Sequence, residues 1–559
     1  MFKFIGSISF LVLGLGVTLL QPYVPLYAQQ PSANRNTSPD RTFRIAGTVV
    51  SSLNGIPLGN ARVSLIDTQN RAKSLWMITS ESGRFEFGSL KPGKFTLQGA
   101  KRGFIPAAFD QHEQFSTAIV TGAGLETEKL VLRLTPLAFL SGKVIDEAGE
   151  PVRNANVALY AENHRAGMDR IALRANASTD DQGAFEFAAL APGNYYLGVA
   201  AKPWYAVHPV SIPTERAANF PQGISPSLDV TYPTTYYGGA TESEGAIPLP
   251  IKGGDHSQVE IHLNPVPALH ILYHIPSDGQ EGFRTPVLQK RVFDTEEYVQ
   301  NEGAQCVTPG ICELLGVPAG RYSVQMPEPK SGQIEQSAEI DLNQQNQELD
   351  TGHSEATAKV KLSVKMPRQE PVAKELYFGL QHSQRQTFGY QQVDKTGEAT
   401  FENVAAGKYA IRLFFLEKAY SVVRTSLQGV EVSGYDLEVT PGASLDVTVT
   451  LVEGVVSVEG FTRNGDKPSA GVMVALVPKD PEAHLDMFRR DQSDLDGSFI
   501  LRDVIPGTYT IVAVEDAWGL PWLKPGVLKR YVEHGQNLTI GELMKGSVLL
   551  PDPVEVQPR

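Results

Sequence analysis

The stretch TDDQGAFEFAALAPGNYYLGVA, Thr179 to Ala200, decides the fold because its pattern occurs five times along the chain. It contains two glycines ten residues apart, Gly183 and Gly193, and apolar residues alternate with polar ones between them. The same spacing separates Gly83 from Gly93, Gly310 from Gly320, Gly397 from Gly407, and Gly497 from Gly507. Recurrence at a fixed spacing indicates a repeat architecture.

The alternation within each copy predicts β-strands. Four residues past the first glycine stand Phe87, Phe187, Leu314, Phe401 and Leu501. Twelve residues past it stand Phe95, Tyr195, Tyr322, Tyr409 and Tyr509. Apolar residues at a period of two are typical of half-buried strands. The polar residues before the first glycine, such as Asp180 and Asp181, are typical of a tight turn and not of a ligand loop.

Each copy lies inside a longer unit. Upstream of the quoted stretch, GKVIDEAGEPVRNANVAL from Gly142 matches GTVVSSLNGIPLGNARVSL from Gly47, and both predict strand, turn, strand. Apolar closing strands follow downstream, so the unit spans about 90 to 130 residues, the size of one β-sandwich domain. The sequence predicts an all-β chain of tandem β-sandwich domains in an elongated array. The predicted domains are residues 41–136, 137–267 with extended closing strands, 268–352 in degenerate form, 353–452 and 453–559.

These motifs resemble the carboxypeptidase regulatory-like domain, a transthyretin-like (prealbumin-like) sandwich related to the carbohydrate-binding-like fold. The similarity is close over residues 43–136, 137–205 and 453–515. It implies an accessory or binding role, and it implies no catalytic residue because the family's motif consists of turn and core positions.

The N-terminus predicts export. Lys3 precedes the apolar run IGSISFLVLGLGVTLL, and Ala28 before Gln29 suits signal peptidase cleavage, so residues 1–28 are predicted to be a signal peptide. An N-terminal membrane anchor is the alternative. Residues 29–40 are polar and turn-rich and are predicted to be a flexible linker. No later segment has the apolar length to cross a bilayer, so the expected location is periplasmic, outer-surface or extracellular.

Charge and motifs exclude several function classes. The formal net charge of −13 argues against a nucleic-acid binder, which needs clustered Lys and Arg. The sequence has no His-Glu-x-x-His pair for zinc, no Gly-x-Ser-x-Gly elbow and no phosphate loop. We therefore expect no enzyme activity, no catalytic residues and no cofactor.

Two groups of residues have side chains that could bind a metal ion. His270 and His274 share the outer face of a predicted strand, where two imidazoles could support a metal ion, but a solvated face is favoured. Asp491, Asp494 and Asp496 resemble a calcium loop only in part, and a plain Asp-Gly turn is favoured. The sequence predicts no metal ligand.

The two cysteines are Cys306 and Cys312, four residues before and two after Gly310. If the hairpin of the other copies is kept, they are cross-strand neighbours close enough to bridge. An exported compartment favours oxidation, so a disulfide is predicted, with two buried thiols as the alternative.

Aromatic residues recur where a ligand could bind. Phe104, Trp204 and Trp518 lie twenty-one residues past the turn glycine, and Tyr205 and Trp522 lie nearby. Such rings offer flat apolar faces to sugars, so these five are the predicted ligand-binding residues. The alternative is that each ring plugs the end of its own sandwich. The segment TYPTTYYGGA, residues 231–240, is a second candidate.

Together these features predict an exported, non-catalytic repeat protein that binds polysaccharide or a surface protein. The alternatives are a structural spacer or assembly module without a small ligand, and an accessory subunit of a separate peptidase or transporter. A further possibility is a Lys–Asn cross-link through Lys143.

Overall fold

The computed structural model describes residues 42–122, 124–165, 168–209, 225–274, 285–299, 301, 303–308, 310–327, 334–349, 357–366, 376–382, 387–415, 420–432, 436–454, 456–481, 487–522, 524, 526–541 and 544–559. The predicted signal peptide 1–28 and linker 29–40 lie outside these residues. The described chain is almost entirely β-structure, and its strands fall into five successive groups, called modules 1 to 5 below. The predicted all-β, tandem β-sandwich fold class is confirmed.

Module 1 has two sheets, ordered β4-β1-β9-β6 and β3-β2-β5-β7, with β8 beside β5. Its strands are β1 (Phe43–Ser51), β2 (Arg62–Asp67), β3 (Ser74–Ile78), β4 (Arg84–Leu90), β5 (Gly93–Ala100), β6 (Phe104–Ile105), β7 (Ala107–Ala108), β8 (Ile119–Thr121) and β9 (Leu130–Pro136). Strand β1 pairs antiparallel with β4, with Ile45 opposite Phe87, and parallel with β9, with Val49 opposite Leu132. These four side chains are buried between the sheets together with Leu97 of β5.

Module 2 repeats this plan with sheets β13-β10-β18 and β12-β11-β14-β16, in which β17 also pairs with β14. Its strands are β10 (Ala138–Ile145), β11 (Asn156–Arg165), β12 (Met168–Ser178), β13 (Ala184–Leu190), β14 (Gly193–Ala200), β15 (Val230–Thr231), β16 (Thr235–Tyr236), β17 (Leu249–Ile251) and β18 (His256–His262). A two-stranded sheet of β15 with β19 (Val266–Pro267) leads into module 3.

Modules 3 and 4 are built in the same way. Module 3 has β20 (Leu269–His274), β21 (Val287–Val292), β22 (Thr295–Tyr298), β23 (Ala304–Thr308), β24 (Ile311–Val317), β25 (Gly320–Pro327), β26 (Ile334–Leu342) and β27 (Gln347–Glu348), in sheets β23-β24-β20-β27 and β22-β21-β25-β26. Module 4 has β28 (Ala358–Lys365), β29 (Leu376–His382), β30 (Thr387–Gln392), β31 (Glu398–Val404), β32 (Gly407–Phe415), β33 (Tyr420–Leu427), β34 (Val430–Val432), β35 (Asp436–Val439) and β36 (Ser444–Glu453). Its sheets are β31-β28-β36-β33-β34 and β30-β29-β32-β35.

In module 5 the two sheets are joined into one nine-stranded sheet by its last strand. The elements are β37 (Val456–Asn464), β38 (Lys467–Pro468), β39 (Met473–Pro478), β40 (Arg489–Gln492), β41 (Ser498–Val504), β42 (Gly507–Val514), α1 (Lys529–Val532), β43 (Gln536–Ile540), β44 (Gly546–Leu549) and β45 (Val554–Gln557). Strand β45 pairs parallel with both β37 and β42. Short 3₁₀ helices cover Pro226–Leu228, Ser243–Gly245 and Ala517–Gly519.

The repeated turn has a local physical cause. Gly183 has a φ of +70°, and a Cβ there would stand 2.5 Å from the carbonyl oxygen of Val144. Gly497 has a φ of +80°, and a Cβ there would likewise stand 2.5 Å from the carbonyl oxygen of Thr462. Only glycine adopts this backbone conformation without strain and leaves room for the neighbouring strand.

The repeated tyrosine is also structural. Its hydroxyl donates a hydrogen bond to the backbone carbonyl oxygen four residues upstream in each module that has it. The bonds are Tyr195 to Ala191 at 2.7 Å, Tyr322 to Pro318 at 2.7 Å, Tyr409 to Ala405 at 2.8 Å and Tyr509 to Ile505 at 2.6 Å. Since a buried carbonyl without a partner is costly, the tyrosine fixes the turn between two strands.

The modules do not contact only their neighbours in sequence. Leu495 of module 5 packs against the core of module 1, and Phe115 of module 1 packs against an apolar cluster of module 5. The predicted array assumed a row of domains, and a simple row would not bring its first and last members together. The alternation of apolar and polar residues in the sequence indicates which side chains form the core of each module. It does not indicate which surfaces of different modules contact each other.

Candidate functional site

Phe104, the first of the predicted ligand-binding residues, makes its contacts within module 1. It is half-buried in β6, which pairs with β9 so that Phe104 stands opposite Pro136. Its ring packs against the core of module 1. This placement corresponds to the plug that was the alternative to ligand contact.

Trp204 and Tyr205 form an open aromatic pair just beyond β14. Trp204 is 85% exposed, and its ring lies 5.7 Å from that of Tyr205 at an interplanar angle of 87°. The Tyr205 hydroxyl donates a hydrogen bond to Glu147, and the Tyr232 hydroxyl donates to the other oxygen of that carboxylate at 2.8 Å. The pair therefore combines one ring open to solvent with a second ring held in place.

The charge of Glu147 is maintained by these tyrosines. Burial alone would raise the pKa of Glu147, but hydrogen bonds from Tyr205, the backbone and Tyr232 outweigh it and lower the pKa. Burial and the same carboxylate raise the pKa of Tyr205 to about 12. At neutral pH the pair thus presents a protonated phenol anchored on a carboxylate.

Trp518 lies in the contact between modules 1 and 5. Its ring stacks on His112 of module 1 at a centroid distance of 5.1 Å and an angle of 5°. Its Nε1–H donates to the carbonyl oxygen of Gly471 at 3.4 Å, and the side chain is only 8% exposed. Trp518 occupies the position in its repeat that Trp204 occupies in module 2, yet its ring is covered by another module.

Trp522 is buried near Trp518 but lines a groove. Its ring contacts Phe488 at 5.2 Å and lies under the guanidinium of Arg490 at 4.5 Å. The groove has a volume of about 730 Å³, and Lys479 and Lys529 also line it. The structure therefore brings Trp518 and Trp522 into one region and leaves Trp204 and Tyr205 together in another module, with Phe104 apart from both.

The tyrosine-rich segment 231–240 is an ordered connection. Tyr232 is buried and holds Glu147, as described above. Tyr236 is also buried, and its ring packs 5.8 Å from Phe293 of module 3, which in turn lies 5.0 Å from Tyr196. This segment helps to join modules 2 and 3.

The turn of module 5 that resembles a calcium loop, at Asp494 and Asp496, is in contact with residues of module 1. The Asp494 carboxylate accepts hydrogen bonds from the Lys94 ammonium at 2.7 Å and from the backbone N–H of Ala118 at 2.9 Å. The turn itself is closed by Gly497 N–H donating to the Asp494 carbonyl at 2.8 Å. Burial raises the pKa of Asp494, and Lys94 acts against that rise. This carboxylate serves the contact between modules.

The structure joins Cys306 and Cys312 in a disulfide across the β23–β24 hairpin, where the two residues stand directly opposite each other. Cys306 takes the place that Thr179 has in module 2, where the hydroxyl accepts from Ala155 N–H at 2.8 Å. Lys143, the residue considered for a different cross-link, is exposed and has Ala184 and Glu260 as strand partners.

Of the two histidines on β20, only His270 departs from the expected solvated face. His274 is exposed and pairs with Glu348 at 2.6 Å, but His270 is only 1% exposed. The Nδ1 atom of His270 lies 2.7 Å from Glu313 of β24, and its Nε2 atom lies 3.3 Å from Asp229. The sequence alternation places His270 on the outer face correctly, but the segment leading from module 2 covers that face.

Asp229 and His208 were not singled out from the sequence. His208 Nδ1 lies 2.8 Å from Asp229, so this carboxylate lies between two imidazoles. Burial opposes protonation of His270, but its hydrogen bonds to Asp229 and Glu313 prevail and raise its pKa to about 9. Burial would likewise raise the pKa of Asp229, yet the two histidines lower it to about 2. These are single polar residues that stand far apart in the sequence, so no motif in the sequence indicates the cluster.

No helix among the described residues is both long enough and apolar enough to span a membrane. Comparison with curated proteins gives no match. Solved structures similar to this chain include the Bacillus anthracis TIE protein, with 10% identity, a TM-score of 0.17, and coverage of 75% of this chain and 76% of that one. A streptococcal ancillary pilin has 13% identity and a TM-score of 0.20, and the match covers 52% of this chain and 100% of that one.

Two B repeat units of the collagen binding protein of Staphylococcus aureus are a third similar structure, with 12% identity, a TM-score of 0.12, and coverage of 73% of this chain and 100% of that one. Scores this low carry no argument about what the chain does. The family comparison is more specific, since the carboxypeptidase regulatory-like domain matches twice, over residues 44–123 and 140–219. The chain therefore contains two tandem carboxypeptidase regulatory-like domains, within modules 1 and 2.

Proposed function

We propose that this chain is an exported, non-catalytic β-sandwich repeat protein that binds carbohydrate or other cell-surface material through Trp204 and Tyr205. The export rests on the N-terminal sequence, and the non-catalytic role rests on the missing catalytic motifs together with the regulatory-like domains. The location that follows is periplasmic, outer-surface or extracellular.

The observation that carries the proposal is the exposure of Trp204. An indole ring that is 85% exposed leaves a large apolar face in water, where it contributes nothing to the core of module 2. A sugar ring has apolar C–H faces that match an aromatic face while its hydroxyls stay hydrated. Tyr205, held by Glu147, stands perpendicular to this face and offers a polar group at its side.

A glycan and polysaccharide retention screen tests the proposal. The wild-type chain is compared with Trp204→Ala and with Trp76→Ala as the matched control. Trp76 is also exposed, at 57%, but it lies on β3 of module 1 beneath the guanidinium of Arg62. We expect retention that Trp204→Ala loses and Trp76→Ala keeps. Absence of retention across the panel, or equal retention by all three proteins, would refute binding through this pair.

A structural or assembly role is the second candidate, and the contact between modules 1 and 5 favours it. Partly buried charged side chains pair between these distant modules, as Lys94 and Asp494 do. A chain of this kind could hold surface components apart, or serve as an accessory subunit of a separate peptidase or transporter, without a small ligand. This candidate predicts no glycan retention and a loss of partner capture when the contact is broken.

A further inference from the structure

Three side chains converge where module 2 leads into module 3. The Asp229 carboxylate lies 2.8 Å from Nδ1 of His208 and 3.3 Å from Nε2 of His270. These ligand atoms all lie within 4.8 Å of one another. His270 and Asp229 are almost fully withdrawn from solvent, with side chains 1% and 11% exposed.

We propose that His208, Asp229 and His270 form a binding site for a divalent transition-metal ion, with zinc as the expected ion. Two imidazole nitrogens and one carboxylate oxygen are common zinc ligands, bound at about 2.0 to 2.2 Å, which places tetrahedral ligands roughly 3.3 Å apart. The two separations that involve Asp229 are 2.8 and 3.3 Å, and the two imidazole nitrogens lie within 4.8 Å of each other, so side-chain adjustment brings the three atoms to this spacing. Three protein ligands leave a fourth position for water.

The backbone fixes the positions of the three ligands. Asp229 directly precedes β15, and its carbonyl oxygen accepts from Ala268 N–H at 2.9 Å, one residue before β20 begins. His208 follows Val207, whose N–H donates to the carbonyl oxygen of Leu228 at 2.8 Å. The ligands are thus brought together by short backbone hydrogen bonds, which lowers the entropy lost when an ion binds.

The second nitrogen of His270 has the partner that metal-binding histidines usually have. Its Nδ1 lies 2.7 Å from the carboxylate of Glu313, which is completely buried. A carboxylate behind a metal-bound imidazole fixes its tautomer and orientation and strengthens the ligand. With Glu313 accepting from Nδ1–H, the Nε2 proton of His270 is the one that a metal ion would displace, and Nε2 faces Asp229 and His208. His274, four residues along the same strand, pairs with Glu348, and both of these side chains are exposed.

Metal titration of the full, untagged chain tests the site. After EDTA treatment and desalting, Zn²⁺ is titrated against a chromogenic chelator, and Co²⁺ binding is followed by visible absorption. We expect one equivalent of Zn²⁺, a four-coordinate Co²⁺ spectrum, and a rise of the unfolding temperature with Zn²⁺ concentration. His208→Ala removes a ligand at the edge of the cluster without leaving Glu313 unpaired.

Two more variants separate a metal site from a purely structural cluster. Glu313→Gln keeps the size of the side chain and should weaken Zn²⁺ binding by about 10- to 100-fold, and His208→Ala should weaken it further. His274→Ala is the matched control and should bind like the wild type. The proposal is overturned if the wild-type chain takes up no stoichiometric Zn²⁺, or if folded His208→Ala binds it as tightly as the wild type.

Discussion

Arg490 and Glu113 form a two-pronged ion pair between modules 5 and 1, with Nη1–Oε1 at 3.1 Å and Nη2–Oε2 at 2.9 Å. The side chains are 7% and 11% exposed, and the guanidinium also lies over the rings of Trp522 and Phe115. A charge pair removed from water stabilises a contact only when both partners are present. Loss of either side chain would therefore leave an uncompensated charge at the contact between modules 1 and 5.

The first prediction concerns this ion pair. Arg490→Met should lower the free energy of unfolding by about 3 to 5 kcal/mol, because it leaves the Glu113 carboxylate buried without a partner. Urea unfolding followed by tryptophan fluorescence measures the loss. The control is Arg463→Met, which breaks an ion pair with Glu555 whose side chains are 49% and 53% exposed. That change should cost less than about 1 kcal/mol, and equal losses in both variants would contradict the assignment.

The second prediction separates two tryptophans that share a position in the repeat. Trp518→Ala should destabilise the chain by about 3 to 5 kcal/mol, because it removes a buried ring stacked on His112. Trp204→Ala should change stability by less than about 0.5 kcal/mol, because the ring is exposed. Thermal unfolding of both variants checks this, and a stability loss confined to Trp204→Ala would reverse the assignment.

Core positions could be predicted from the sequence because they depend on local chemistry. Phe187 and Leu197 stand at the predicted apolar positions of module 2, and both are buried. The turn at Gly183 has a φ of +70° and a neighbouring strand close by, and both features require glycine, so the glycine in the sequence marks the turn. Such features recur in every copy, so the pattern itself reveals them.

The environments of the candidate site residues could not be predicted in this way. Trp204 and Trp518 are equivalent in the repeat, and they differ because module 1 covers only the second. The Arg490–Glu113 contact spans 377 residues and has no periodic signal. His270 was placed on the correct strand face, but its cover comes from a connecting segment whose path alternation does not report.

The third prediction concerns the disulfide. Mass spectrometry of the unreduced, unfolded chain should show no alkylation of Cys306 or Cys312, and reduction should expose both thiols. Replacing both residues by serine should lower stability by about 2 kcal/mol, the value expected from chain entropy for so short a loop. Addition of a reductant serves as the control, since it should destabilise the wild type and leave the double variant unchanged. Two thiols that react before reduction would show that the bridge does not form.

The fourth prediction concerns pH and Asp491. Burial raises the pKa of Asp491 to about 6, with Asp494 adding to the rise and Arg502 opposing it. The folded state keeps the Asp491 proton to a higher pH than the unfolded state does. The contribution of Asp491 to the free energy of unfolding is therefore fully present below about pH 4 and is lost as the pH rises through about 6. Asp491→Asn keeps an acceptor for the Ile500 N–H and cannot ionise. The variant should match the wild type near pH 4 and exceed its stability by up to about 3 kcal/mol at pH 7.

Stability curves from pH 4 to 8 measure the difference between the two proteins, which cancels the titration of other carboxylates. A constant difference across this range would show that Asp491 ionises normally in the folded chain.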